Sequence, residues 1–567
     1  MVFGLLIALA PSAASAQTVQ ENYLPSKSQL YFRFDGMQKH QAAFDKTAAG
    51  QMMKGDTGKF LGELWKYVQE QLQNVAANEP KVGPLLKDVG KIVSSMHNNG
   101  VVFGLEVDTV LPPVVQTVIV FPKAAGESGA LIPLIQKIAE ETKVEIKTAK
   151  SGKRFVSHLD FQFVKFGWWS QGEDAVLFLG TTDPTDYADA IDAKKTGIAG
   201  NPLFKKLVGF KEFPTASRGY FDMTGVIKVA SGAHPQAGPV IDELGLKGIK
   251  SVTFVTGYEG IYQRSIVDVD MPGERKGLLA FSSPKKISMK DLPVLPNDLT
   301  AFSAGTLNVS KAYDVLLGMA EGIVRVFDPA KADEIKETVK AFEGVIGIDV
   351  NKDFFGSFGD LMVSYSSPSD GILGSGALVA IQIKDGKKLE NAIDKIVKAI
   401  PALPGAEITL KKKPYHGAQL LQLEISSPQV TSNAVTLGIY KNWLLYASYP
   451  QPIKGFILRQ EGKLPAWKAD ESLTKVLKTF PSEFSSISVS DPRPMVQTVL
   501  AGTPFVMNLV NTFGSVGAQF AGIQGFRPFD LDLIPHAQEA TLGLFPNVTI
   551  STDDGKRVRS DTRASFP

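Results

Sequence analysis

The sequence predicts an α+β protein made of two related halves, each mainly antiparallel sheet with amphipathic helices. Three observations predict it. Strand-like runs and helical patterns follow one another without strict alternation, which argues against a doubly wound parallel sheet. Pieces of the first half of the chain return in the second in the same order. A length of 567 residues exceeds what one hydrophobic core fills, so at least two domains are expected.

Residues 344–400 show the building plan most clearly. A turn region of small and acidic residues (347–358) leads into a strand at 361–365. A loop rich in Gly, Ser and Asp (368–376) separates it from a strand at 377–383, and a turn at 384–386 opens a helix. Leu389, Ala392, Ile393, Ile396, Val397 and Ile400 recur at the three-and-four spacing of one helical face. Lys387, Lys388, Glu390, Lys395 and Lys398 are left to water. This is scaffold and carries no chemistry.

Leu24-Pro25, with a strand at 30–34 and a helical region reaching Leu72, returns as Leu295-Pro296 with a strand at 300–307 and a helix from Ser310. A strand at 115–121 precedes a helix carrying Leu131, Leu134, Ile135 and Ile138, as 378–383 precedes the helix described above. The hairpin 163–169 and 175–179 matches 435–440 and 443–446. Phe213-Pro214 and Phe480-Pro481 each lead into a short strand with an Asp near its end, Asp222 or Asp491. The matches assign 17–272 and 293–567 to two copies of one unit, 273–292 to a linker, and 501–529 to an insertion in the second copy.

Residues 1–16 read as a signal peptide. Val2 to Ala10 is apolar over the length of an h-region, and Ala14-Ser15-Ala16 is the small-x-small pattern for cleavage before Gln17. Met1-Val2-Phe3 lacks the usual Lys or Arg, which leaves open a start further upstream. No later segment offers the roughly 20 apolar residues of a spanning helix without charges, Pro or Gly, so no transmembrane span is expected in the mature chain. The expected location is periplasmic or extracellular. The absence of cysteine removes disulfides, thiolate metal sites and cysteine nucleophiles together. Lys and Arg number 60 against 58 acids, so there is no bulk electrostatic drive toward nucleic acid or anionic lipid.

Few residues carry chemistry. The six histidines are scattered, with no HExxH pair. There is no G-x-S-x-G elbow, and Gly58-Lys59 is followed by Phe60 where a P-loop needs Ser or Thr. Residues 371–376 lack the G-x-G-x-x-G order and precede a strand. Asp349, Asn351 and Asp353 have the alternate spacing of a calcium loop, with Asp360 at the twelfth position. Phe354 and Phe355 stand where the glycine turn belongs, so helix capping and turn formation are the structural alternative. Phe161, Phe163, Phe166, Trp168 and Trp169 crowd one strand and Trp443 lies in the matching hairpin of the second half; exposed, they would stack on sugar rings or hold an apolar ligand, and buried they are core.

Leu295-Pro296 with its strand, Gly347-Ile348-Asp349-Val350, Lys352-Asp353, Phe358-Gly359-Asp360, Lys384-Asp385 before a helix, and Tyr415-His416-Gly417 together resemble an uncharacterised family of exported bacterial proteins, the domain-of-unknown-function family 3352. The likeness is clearest over 291–460, and the first half looks like a more diverged copy. The resemblance implies no catalytic residues. The expected function is a non-catalytic binding or structural component of the bacterial cell envelope, with no cofactor. The alternatives are a carboxylate-dependent hydrolase, which needs Asp349, Asp353 or Asp360 to converge in a cleft, and a carrier of an apolar ligand, which needs a matching cavity.

Overall fold

The computed structural model describes residues 19–78, 82–108, 113–125, 130–371, 375–399, 407–426, 431–520 and 527–566. The expected signal segment with Gln17, Ile400, and Ile372 to Gly374 of the glycine-rich loop lie outside them. The strand expected at 377–383 forms at those residues, and the one at 361–365 extends to Phe358–Ser366. The helix after it, Gly386–Ala399, opens where the Asp385 carboxylate accepts from the Lys388 amide and buries Leu389, Ala392 and Ile393.

Among the described residues, twenty strands join in one antiparallel sheet. The first ten are β1 (Leu30–Phe34), β2 (Val101–Asp108), β3 (Val114–Phe121), β4 (Lys147–Ser151), β5 (Arg154–Phe161), β6 (Val164–Gln171), β7 (Asp174–Gly180), β8 (Thr215–Asp222), β9 (Ser251–Glu259) and β10 (Tyr262–Asp270). The second ten are β11 (Ala301–Thr306), β12 (Phe358–Ser366), β13 (Ala377–Ile383), β14 (Glu407–Tyr415), β15 (Ala418–Ser426), β16 (Thr431–Tyr440), β17 (Trp443–Ala447), β18 (Ser486–Ser490), β19 (Asn547–Asp553) and β20 (Arg557–Ala564). Across the sheet the first ten pair in the order β4-β5-β6-β7-β3-β2-β1-β8-β9-β10. Starting from the opposite edge, the second ten pair as β14-β15-β16-β17-β13-β12-β11-β18-β19-β20. The blocks meet where β10 pairs with β20.

Tight turns close the outer hairpins. His416 and Gly417, both at positive φ, make the two-residue turn between β14 and β15, so the Tyr-His-Gly motif is turn chemistry.

Helices occupy the longer connections. β1 leads to β2 through α1 (Gln41–Phe44), α2 (Ala48–Lys54), α3 (Asp56–Asn78) and α4 (Val82–Asn99). The β3–β4 connection holds α5 (Leu131–Glu141), β7–β8 holds α6 (Pro184–Asp192) and α7 (Pro202–Val208), and β8–β9 holds α8 (Met223–Ala233) and α9 (Ala237–Glu243). In the second block the corresponding connections hold α10 (Ala312–Phe327) with α11 (Pro329–Ile346), α12 (Gly386–Ala399), α13 (Pro450–Gln460) with α14 (Glu471–Leu477), and α15 (Arg493–Phe520) with α16 (Ala537–Ala540). α3 packs on α15 through Phe60, Tyr67, Leu500 and Met507, while α10 packs on α9. Strand direction places the first pair at one end of the strands and the second pair at the other.

One face of the sheet is the main core. α6 and α7 cover Tyr31, Val118, Phe178 and Tyr220, and α13 and α14 cover Phe302, Val363, Leu445 and Ile487. These residues alternate along their strands, as a face buried under helices requires. On the opposite face α5 and α12 cover only the outer strands.

Residues 273–292, expected to be a linker, are docked. They form short 3-10 turns at Gly277–Phe281 and Met289–Asp291. Arg275 grips Asp553 at 2.6 Å, and the Asn308 amide donates to the carbonyls of Ala280 and Ser282. The insertion expected at 501–529 begins inside α15, which runs on through Pro504 although that residue cannot donate to the Leu500 carbonyl.

Candidate functional site

The central part of the second sheet face is uncovered by α5 and α12 and forms a broad floor over ten strands, from β2 to β12. Its chemistry changes across the block junction. On the first side Leu30, Phe32, Phe103, Leu105, Phe254 and Phe221 share the surface, with Phe221 40% exposed. Phe254 lies 6.2 Å from Phe32 and 6.4 Å from Phe221, ring centre to ring centre. Gly219 leaves room for this, because a side chain there would strike the Phe254 ring.

On the second side the floor is lined with hydroxyls. Ser303 pairs with Ser488 at 3.0 Å, Thr549 with Thr562 at 2.8 Å, and Ser551 with Ser560 at 2.8 Å. Such cross-strand hydroxyl pairs satisfy one another and leave a surface that is polar without charge. A depression of about 420 Å³ opens here, lined by Ser303, Gly305, Met362, Ser364, Ser486 and Ser488 among others.

Among the described residues of these ten strands, only Asp360 and Asp553 bring a charge to this face, both at one rim. Each is already paired from the 273–292 segment, Asp360 with Lys285 at 3.1 Å and Asp553 with Arg275. The core face at the block junction is the reverse, carrying Arg264, Arg559, Asp561 and Arg563.

A second cavity of about 740 Å³ lies at the outer edge near β5 and β6. Its lining includes Arg154, Asp192, Gln136, Trp168 and Trp169. Trp168 and Trp169 are each 1% exposed, and Trp443 is buried against Phe456. All three therefore serve as core. Of the five aromatics from Phe161 to Trp169, Phe161 and Phe163 are the ones most open to solvent, and Phe155 of the same hairpin is exposed too.

The acidic positions do not converge. Asp349 caps a π turn, accepting from the Lys352 amide at 2.9 Å, and Asp353 accepts from the Asp349 amide at 2.9 Å. Asn351 donates to Asp314 at 3.0 Å, and Asp360 faces Lys285 at the floor rim. The Lys352 amide and ammonium hold the Asp349 carboxyl below its usual range; the Asp349 amide, with Lys388, does the same for Asp353. That shift runs against a general acid, which needs a raised value. Among the described residues no group of three or more His, Asp or Glu is placed to hold a metal ion.

No single motif in the sequence marks the floor. Its one signal is alternation, as in Ser486-Ile487-Ser488-Val489-Ser490, where serines take every second position and the apolar residues between them face the core.

No family model matches the chain, and no curated protein matches it. Among solved structures, crystal form III of TP0453 is similar at 9% identity and a TM-score of 0.24, over 47% of this chain and 84% of that one. Crystal form I of TP0453 gives 8% identity and a TM-score of 0.22, over 46% and 81%. Likenesses this low carry no weight for fold or function.

Proposed function

We propose that the protein is an exported, non-catalytic binding protein of the bacterial cell envelope whose ligand is an elongated amphiphile lying on the uncharged floor. The ligand's apolar part takes the Phe32, Phe221 and Phe254 side, and its uncharged polar part takes the hydroxyl side. The supporting observation is a ten-strand surface that bears charge only at one rim, in a chain with 21% charged residues. Burying apolar surface there gains about 25 cal/mol per Å². Away from that rim, the described residues of the ten strands offer a charged ligand no partner. The shared pairing order of the two ten-strand blocks supports duplication of one ancestral unit as part of this reading, with the floor spanning both copies.

The test is native mass spectrometry of the protein isolated from its envelope without detergent, then denaturation to release what is bound. The expected result is a stoichiometric acyl-chain amphiphile, absent from the Phe254→Glu variant. A ligand-free wild type that also fails to take up a fluorescent acyl probe would sink the proposal.

A further inference from the structure

α15 is a long helix with most of its described residues exposed. It spans 28 residues, about 42 Å at 1.5 Å per residue. Residues 494–526 contain no Asp, Glu, Lys, Arg or His over 33 positions, where the chain's 21% charged content would place about seven. One side of the helix is accounted for. Leu500 and Met507 pack against Phe60, Tyr67 and Phe529, and the Asn511 side chain bonds both backbone groups of Phe529 at 2.9 and 2.7 Å.

Its other side is apolar and open. Met495, Val499, Val506, Leu509, Phe513 and Val516 repeat at three-and-four spacing and fall within one stripe. Val506 is 54% exposed and Phe513 69%. The most apolar 18-residue window of Arg493–Val516 has a mean hydropathy of 1.2 and is 11% buried, so by length and composition alone the helix is apolar enough to cross a membrane. On the packed neighbour α3, Leu61, Trp65 and Val68 extend the same kind of surface, Trp65 being 57% exposed.

We propose that α15, with α3 beside it, docks the protein on a lipid bilayer, the stripe lying among the acyl chains parallel to the surface. A bilayer is favoured over a protein partner by the length of the uncharged apolar stripe, which runs along the whole described outer side of α15, and by the charges at its flank. By helical spacing the exposed Lys59, Glu63 and Lys66 of α3 lie off the side of Leu61, Trp65 and Val68, where headgroups and water would meet them, as the polar side of an interfacial helix does. The packed side keeps α15 attached to the protein, which fits a helix lying on the membrane.

The experiment is flotation of the full exported chain with neutral phosphatidylcholine vesicles in low and high salt. Wild type floats with the vesicles irrespective of salt, and Val506→Glu with Phe513→Glu lowers the floated fraction more than tenfold while the thermal midpoint holds. The floor variant Phe254→Glu floats like wild type, which separates docking from uptake of single lipid molecules. The proposal is overturned if wild type stays with the unbound protein, if it binds only anionic vesicles and is released by salt, or if the stripe variant floats equally. It is also overturned if sedimentation shows a dimer that the stripe substitutions dissociate, which would make a second copy the occupant.

Discussion

Arg264 and Asp561 stand 297 residues apart in sequence and form a two-point bond across the junction of β10 and β20, Nε to Oδ1 at 3.0 Å and Nη2 to Oδ2 at 2.6 Å. Arg264 also reaches Glu212 at 3.2 Å and Glu259 at 3.3 Å and lies over the Phe213 ring. The charges of the junction are therefore gathered on the core face. The opposite face at the same strands is left to Ser265, Val267, Ser560 and Thr562.

Removing one side of this bond leaves Arg264 largely buried with weaker partners. Asp561→Ala is expected to lower the unfolding free energy by about 2 to 3 kcal/mol, read from urea denaturation. A loss below experimental error would show that Glu212 and Glu259 suffice.

Acid should loosen the same region. Burial alone would raise the carboxyls of Glu212 and Asp553, but Arg559 and Arg264 outweigh it for Glu212, and Arg275 with the Gly555 amide does so for Asp553. Both values end below the ordinary range. Their contribution is full above the unfolded values, about 4, and is lost as pH falls through the lower folded values. The urea midpoint should fall below about pH 4, with Asp553→Asn less stable at neutral pH and showing a shallower acid slope.

Phe529 holds α15 to α3, its ring edge-on to Phe60 at 6.0 Å and Tyr67 at 5.3 Å. Phe529→Ala should cost about 3 to 5 kcal/mol locally. Hydrogen exchange is the measurement. Amides of 493–516 should exchange faster while those of β18 and β19 keep their protection.

Trp168 and Trp169 are sealed in the core and Trp65 is open. Iodide should quench a part of the tryptophan emission that Trp65→Phe removes. Trp169→Phe should leave the quenchable part unchanged, and soluble glycans should leave the emission of both buried tryptophans unchanged.

Local pattern made much of the scaffold legible. The strands at 30–34 and 377–383 and the helix around Leu389 declared themselves, because a buried face imposes its period on the residues that build it. The site was harder to read. Trp168 and Trp169 drew attention as a cluster, yet burial decides what an aromatic does, and burial depends on α5 and α6 arriving from elsewhere in the chain. Asp349 and Asp353 had a metal-like spacing that backbone amides had already claimed. The floor was illegible for a different reason. It gathers serines and phenylalanines from strands hundreds of residues apart, and only the pairing of β10 with β20 puts them side by side.

That pairing also bears on time. β10 is made early and exposes an unpaired edge until β20 is synthesised nearly 300 residues later. A contact of such long sequence separation forms slowly, and an open edge in the meantime invites strangers. Chaperones that hold the chain unfolded until it is whole would guard it best, and premature release should yield clumps joined through β10.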